Sequence, residues 1–215
     1  MRPGASPLCA AVTAAVLSIC AGGVRAEPPL ARSAEEILSG QPAELRERLE
    51  QQKVVILTPE GGDGADHWVK ALAIFERPRD EVMHLIAQST RQIEYRPEIT
   101  AISTVERFPH GTVDEHQLRI LFVKLTYRLR AQIDYAQGRA WWSLDDHFAN
   151  DLASLDGYWE FYELGPSRTL GAFGTVVDIG PALPGFLQDL ATRKNVPQTV
   201  DRTRRWVDSN GTWRP

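Results

Sequence analysis

Cysteine is nearly absent from this sequence of 215 residues, and its two copies, Cys9 and Cys20, both lie near the N-terminus. If that end is removed during export, the mature chain has no thiol. A disulfide, a thiolate metal site and a cysteine nucleophile are then all excluded.

Long hydrophobic runs are also absent, apart from one short apolar stretch at the start. Arg2 precedes this stretch, and the small residues Val24 and Ala26 flank Arg25 after it, which is the layout of a secretory signal peptide. We expect a signal peptide over residues 1–26, cleavage after Ala26 and an extracytoplasmic protein, in a bacterial periplasm. No later segment approaches the roughly 18 apolar residues of a membrane span, so the mature chain is not expected to span a membrane.

Lipidation of Cys20 is an alternative that the sequence leaves open. The bulky Ile19 stands where a lipidation signal prefers a small residue. A plain, cleaved signal peptide is therefore the favoured interpretation.

An excess of positive charge is absent too. The chain holds 24 Lys and Arg against 28 Asp and Glu, a formal net charge of −4 at pH 7. Nucleic acids and anionic membrane surfaces attract strongly basic proteins. We therefore expect no nucleic-acid partner.

Catalytic and cofactor signatures are missing: there is no GxGxxG, no P-loop, no GxSxG and no HExxH. The densest polar stretch, DDHFANDLASLDG (145–157), could hold a hard cation, but it lacks the ligand spacing of a calcium loop, and a solvated loop is favoured. The five histidines show no paired spacing on one element. The sequence predicts no metal, no cofactor and no assigned catalytic residue.

The pattern that is present begins with helices and a strand. Residues 33–53 carry Leu and Ile at helical spacing around a Gly-Gln-Pro break at 40–42, which predicts two short helices in a solvated N-terminal arm over residues 27–52. HWVKALAIF (67–75) alternates with apolar residues on both sides, typical of a strand buried on both faces. Pro78 and the acids that follow it then begin a helix.

The middle of the chain alternates with period two. RILFVKLTYRLRAQIDY (119–135) is apolar on one side, while Lys124, Arg128 and Arg130 lie on the other. The run is too long for one ordinary strand, so we expect two antiparallel strands creased near Lys124, or one strongly bent strand. Arg128 and Arg130 are expected to face outward.

The C-terminal stretch TVVDIGPALPGFLQDL passes from a strand into a long helix. Each proline fixes φ at about −65°, so Pro181 and Pro184, after Gly180, set the angle at which the chain leaves the strand. We expect the helix to continue toward residue 208 and to be kinked or re-capped where Asn195 and Pro197 lie. This order predicts an α+β domain in which a curved antiparallel sheet wraps around a long C-terminal helix.

This order resembles the START-like or SRPBCC superfamily, with its helix-grip fold, and the polyketide cyclase and coenzyme-Q-binding branch in particular. Four segments are similar to its strands, its first helix and the entry to its last helix: AIFERPRDEVMHLI, YRPEITAISTVER, GYWEFYELG and RTLGAFGTVVDIGPALPGFL. The resemblance places a START-like domain at 53–208 and a tail at 209–215. It implies a cavity for a hydrophobic small molecule or lipid, such as an isoprenoid quinone, a fatty acyl chain or a polycyclic lipid.

Large aromatic and aliphatic residues of the predicted elements are the expected lining of that cavity. The predicted ligand-binding residues are Tyr127, Leu129, Trp142, Trp159, Phe161 and Phe173 from the sheet, and Phe186, Leu187 and Leu190 from the helix.

Three functions fit the sequence. The favoured one is an exported carrier or shield that holds its ligand by burying apolar surface. The second is a cyclase or aromatase-like enzyme, which needs an inward acid or base such as Glu160, Asp178 or His116, and which export disfavours. The third is a non-catalytic envelope module with an unknown protein partner, whose interior is filled by its own side chains. A continuous apolar cavity of about a few hundred Å³ distinguishes the first function from the third.

Overall fold

The computed structural model describes residues 33–57, 68–181 and 195–215. The helices are α1 (Ala34–Ser39), α2 (Ala43–Glu50), α3 (Arg79–Ile86) and α4 (Asn195–Asp208), with a 3₁₀ helix at Ser89–Glu94. The strands are β1 (Val55–Leu57), β2 (Val69–Phe75), β3 (Ile99–Phe108), β4 (Gly111–Ile120), β5 (Val123–Asp134), β6 (Arg139–Leu144), β7 (Ser154–Glu163) and β8 (Thr169–Asp178). The predicted signal peptide lies outside the described residues.

The eight strands form one curled antiparallel sheet in the order β1-β2-β8-β7-β6-β5-β4-β3. Helix α4 packs against β2 and α3 on the inner face of this sheet. The prediction of an α+β domain with an antiparallel sheet and a C-terminal helix is thereby confirmed. None of the described helices is long and apolar enough to cross a bilayer.

Strand β2 is buried on both faces, as its alternation indicated. Ala71 and Phe75 belong to the cluster that includes residues of α4, whereas Leu72 and Ile74 pack with Leu49 of α2 on the opposite face. Leu49 is only 1% exposed. The two short helices therefore occur around the expected break, but they cover the outer face of the sheet, and the expectation of a solvated arm is wrong.

Strands β4 and β5 form a hairpin whose turn is Leu121 and Phe122, because Ile120 pairs directly with Val123. This turn lies slightly before Lys124, where the sequence predicted a crease. Leu121 has a φ of 57°, which a two-residue hairpin turn needs at its first central position but which is uncommon for a leucine.

The outward face of this hairpin carries ion pairs, as expected for its polar side. Arg128 Nη2 lies 2.9 Å from Glu115 Oε2, and Arg130 Nη2 lies 3.6 Å from Glu106 Oε2. The two arginines are therefore directed away from the inner face.

Helix α3 is short. It ends at Ile86, and the following 3₁₀ turn leaves Ile93 44% exposed. Both elements still bring the chain back to the edge of the sheet at β3.

The exit from β8 turns sharply at Gly180, whose φ is 72°. Its N–H donates to Asp178 Oδ1 at 2.8 Å. Pro184 and the predicted start of the last helix lie outside the described residues. Helix α4 is described from Asn195, and Pro197 stands in its first turn, where a missing N–H leaves no hydrogen bond unmade.

Candidate functional site

A cavity of about 190 Å³ lies between the inner face of the sheet and the N-terminal end of α4. Its wall is mainly apolar. Representative wall residues are Leu118, Leu125, Tyr127, Trp142, Leu155 and Phe173. The cavity is therefore bounded by five strands, β4 to β8.

The alternation of β5 supplies one wall. Leu125, Tyr127, Leu129 and Ala131 are two residues apart and all line the cavity, because successive side chains of a strand point to opposite faces. This is the apolar side that the sequence identified. The helix contributes shorter side chains, Asn195, Val196 and Thr199.

Trp142 depends on a glycine of the neighbouring strand. Trp142 pairs with Gly157 across β6 and β7, and a Cβ added at Gly157 would overlap the indole ring. The ring therefore lies over the backbone of Gly157 and reaches Phe173, with ring centroids 5.9 Å apart. Gly157 gives this side chain the room to lie along the cavity wall.

A second cavity of about 290 Å³ adjoins the first. Ser89, Gln92, Ala131 and Trp142 line both. Trp159 lies on the wall of this second cavity. The two cavities together extend along the inner face from α4 toward the loop between β3 and β4.

The nine predicted ligand-binding residues fall into four groups. Tyr127, Leu129, Trp142 and Phe173 line the first cavity, and Trp159 lines the second. Phe161 is 1% exposed and packs edge-on against Phe75, with centroids 5.9 Å apart. It lines neither of these two cavities. Phe186, Leu187 and Leu190 lie outside the described residues, and ligand binding by any of the nine stays a prediction.

One end of the first cavity is polar. Asp114 and His116 of β4 line it and are only 1% and 2% exposed. Thr112 Oγ1 donates to Asp114 Oδ2 at 2.9 Å, and the His116 ring stacks on Tyr127 at 5.2 Å. These residues place a carboxylate and an imidazole against an otherwise apolar space.

The imidazole of His116 is held neutral. Burial, helped by the positive charge of Arg96 and opposed by Asp114, lowers the pKa of His116 from 6.5 to about 4. His116 therefore carries no charge at neutral pH.

Arg96 and Glu98 complete the polar end. Arg96 donates from Nε to Glu98 Oε1 and from Nη1 to Gln92 Oε1, both at 2.9 Å. Burial alone would raise the pKa of Glu98, but Arg96 and the more distant Arg202 hold it below its usual range. Their charges are paired.

Three of these polar residues were missed by the sequence interpretation: Arg96, Glu98 and Asp114. The hairpin register could have revealed Asp114. A two-residue turn at 121 and 122 pairs Asp114 with Leu129 and His116 with Tyr127, which places both polar residues on the apolar side of β5.

Among the inward acids or bases that the sequence suggested, His116 lines the cavity and the other two do not. Glu160 accepts a hydrogen bond from Tyr162 Oη at 2.7 Å and stands on the opposite face from Trp159. Asp178 is exposed and accepts from the backbone of Gly180.

The polar loop between β6 and β7 has a structural role. Asp151 Oδ2 accepts the N–H of Thr126 at 2.7 Å, and Asn150 Oδ1 accepts the N–H of Arg128 at 2.8 Å. These bonds attach the loop to β5. In the part of the chain that the structure describes, no group of three His, Cys, Asp or Glu side chains could hold a metal ion.

Comparison with known proteins gives structural likeness and no sequence match. No family model matches the chain, and no curated protein matches it. The protein TTHA0849 from Thermus thermophilus is 17% identical, with a TM-score of 0.57 over 67% of this chain and 96% of that one. The ZhuI aromatase/cyclase from Streptomyces sp. R1128 is 14% identical, with a TM-score of 0.56 over 67% and 92%.

A STAR-related lipid transfer protein from Xanthomonas axonopodis is also similar in structure. It is 8% identical, with a TM-score of 0.58 over 72% of this chain and 98% of that one. At these identities the likeness concerns the fold alone. The START-like, helix-grip fold that the sequence resembled is confirmed by these neighbours.

Proposed function

We propose that this protein is an exported carrier or shield that binds a hydrophobic small molecule or lipid between its sheet and its C-terminal helix. The observation that carries this proposal is the apolar cavity beneath α4. Proteins with the same fold include one named as a lipid transfer protein, which supports the same class of ligand.

The size of the cavity fits a small apolar group. An engineered cavity of roughly 150 Å³ in another protein binds benzene, and this cavity has about 190 Å³. The adjoining space of about 290 Å³ would extend the site for a longer chain. Each Å² of apolar ligand surface removed from water contributes about 25 cal/mol, so binding needs no charged contact along most of the ligand.

The decisive experiment is native mass spectrometry of the protein purified from its host's envelope, followed by denaturation and solvent extraction. We expect an apolar species at stoichiometric amounts. Leu129→Glu places a charge on the cavity wall and should remove that species. Lys124→Glu changes the outward face of the same strand and should retain it, with circular dichroism confirming that both variants are folded.

An empty wild-type protein would contradict the carrier function. It would favour a non-catalytic module that contacts a protein partner.

Export is tested separately by fractionating cells and sequencing the N-terminus of the recovered protein. We expect a periplasmic protein that begins at Glu27, because Val24 and Ala26 fit a signal peptidase site. A cytoplasmic protein that still begins at Met1 would contradict export without affecting the cavity.

A cyclase-like enzyme is the second candidate, because a neutral His116 lines the cavity beside Asp114. A neutral imidazole can hydrogen-bond to a polar group of a bound substrate and so orient it. One neighbour in fold is named as an aromatase/cyclase. Incubating the extracted protein with an added hydrophobic ligand and repeating the mass spectrometry separates the two functions, since a carrier returns the ligand unchanged and a cyclase that dehydrates its substrate returns a product lighter by one water.

A further inference from the structure

Two buried atoms of residues that line the cavity have no hydrogen-bond partner among the described residues: Oδ1 of Asp114 and Nδ1 of His116. Both side chains are at least nine-tenths buried and belong to the polar end of the cavity. Leaving a buried polar group unsatisfied costs about 1–3 kcal/mol, and native proteins keep few such groups. A ligand that satisfies both atoms would account for their presence.

We propose, building on the ligand-binding function above, that the bound molecule is a neutral amphiphile that places a hydroxyl group against Asp114 and His116. Its apolar part would then lie among the leucine and aromatic side chains of β5, β6 and β8. An apolar cavity alone would admit lipids with any head group, whereas this proposal restricts the ligand to neutral lipids that carry a hydroxyl group.

The carboxylate requires a donor. Oδ2 of Asp114 already accepts the hydroxyl proton of Thr112, and a carboxylate oxygen only accepts hydrogen bonds. Oδ1 therefore needs a ligand group that donates. A quinone or a ketone offers only acceptors, so it would leave Asp114 unsatisfied.

A negatively charged ligand is disfavoured at the same place. The carboxylate of a fatty acid would lie beside Asp114 and Glu98, and like charges in a poorly solvated site repel strongly. The charge of Arg96 is already paired with Glu98 at 2.9 Å. The site thus offers a fatty acid no unpaired cation among the described residues of its wall.

A positively charged ligand is disfavoured as well. Burial and the nearby guanidinium of Arg96 are the causes that keep His116 from accepting a proton. The same two causes, which outweigh the opposing charge of Asp114 at the imidazole, act against an ammonium group placed next to the ring. Neutral donors remain, and a hydroxyl both donates to Asp114 and accepts from the Nδ1–H tautomer of His116.

The test compares four probes of equal chain length: 1-octanol, 2-octanone, octanoate and octylamine. Their affinities for the purified, extracted protein are measured by displacement of N-phenyl-1-naphthylamine. We expect octanol to bind at least about tenfold more tightly than each of the other three, the ratio that one well-formed hydrogen bond to a charged group gives.

The substitution Asp114→Asn should replace the acceptor that faces the ligand with a donor. The amide oxygen can accept from Thr112, which leaves the amide N–H₂ to donate into the cavity. The ratio of octanol to octanone affinity should fall at least about tenfold. Glu115→Gln makes the same chemical change one residue away on the outward face, where Glu115 pairs with Arg128, and should leave the ratio unchanged.

Two results would overturn the inference and they point to different causes. If all four probes bind within about threefold of one another, or if Asp114→Asn leaves the ratio unchanged, the hydroxyl selection is wrong and the carrier function stands. If no probe displaces the dye and no cargo is extracted, the ligand-binding function is itself wrong. The wild-type ranking alone decides the matter if Asp114→Asn does not fold.

Discussion

The two ends of helix α4 cover the same sheet in different ways. At the C-terminal end, Trp206 is 1% exposed and stacks on Tyr95, with ring centroids 4.8 Å apart. At the N-terminal end, Asn195, Val196 and Thr199 face the sheet and leave a cavity of about 190 Å³. One end of the concavity is a packed core and the other is a candidate binding site.

The difference comes from the helix, since the sheet supplies large apolar side chains at both ends. The indole of Trp206 and the polar side chains of the cavity differ in the same way. Trp206 Nε1 donates to Glu94 Oε2 at 3.1 Å, whereas Asp114 and His116 each keep one atom without a partner among the described residues. The indole of Trp206 is thus satisfied within the protein, whereas these two atoms of the cavity-lining residues are not.

Removing the side chain of Trp206 from the packed end of α4 should cause the largest loss of stability. Trp206→Ala would lose the stacking on Tyr95, the hydrogen bond to Glu94 and the contact with Arg91, whose guanidinium lies 4.8 Å from the ring centroid. We expect the free energy of unfolding, measured by urea denaturation, to fall by about 3–5 kcal/mol.

Trp213→Ala is the matched control, because Trp213 is only partly buried and lies at the edge of the same cluster. Its loss should be less than about 2 kcal/mol. Equal losses for the two variants would show that the C-terminal end is not the packed core described above.

Acid should destabilise the cavity end through His116. Its folded pKa of about 4 lies below the ordinary 6.5, so the unfolded chain binds the proton more readily, and stability falls as the pH drops from 6.5 to 4. The loss is about 3 kcal/mol, and it levels off below pH 4. The charged or titratable groups around the His116 ring are Arg96, Glu98, Asp114 and Tyr127.

Urea denaturation at pH 7 and pH 4.5 measures this loss. His116→Gln should reduce the acid-induced drop by about 2–3 kcal/mol. An unchanged drop in His116→Gln would mean that His116 is protonated as easily in the folded chain as in the unfolded one.

The sequence was sufficient to predict the architecture. Period-two alternation marked the strands, and Pro78 marked the start of α3. The helix junction predicted at Pro184 lies outside the described residues. What it missed came from tertiary contacts. The helices around Gly40 were recognised, yet nothing in their own residues showed that Leu49 would pack against Leu72 and Ile74 of β2.

The candidate site was predicted only in part, because it too depends on tertiary contacts. Parity assigned Tyr127 and Leu129 to the inner face, but Phe161 has the same parity as Trp159 and lies deep in the packed core. Phe161 packs against Phe75 and Trp159, and these contacts are not visible in the alternation of one strand. Asp114 escaped notice because its orientation follows from the exact position of the turn at Leu121.

A large side chain at the N-terminal end of α4 should fill the cavity and prevent binding. Of the variants considered, this one should change the free energy of unfolding least. Thr199→Phe introduces a ring into the cavity next to Val196, and its backbone oxygen still accepts from Thr203. Displacement titrations should show apolar-probe affinity at least about tenfold weaker, while the free energy of unfolding changes by less than about 1.5 kcal/mol.

Gln198→Phe adds the same ring at the adjacent exposed position and should leave the affinity unchanged. If Thr199→Phe binds the probe as wild type does, the ligand does not occupy the space under the N-terminal end of α4, and the difference between the two ends is one of packing alone.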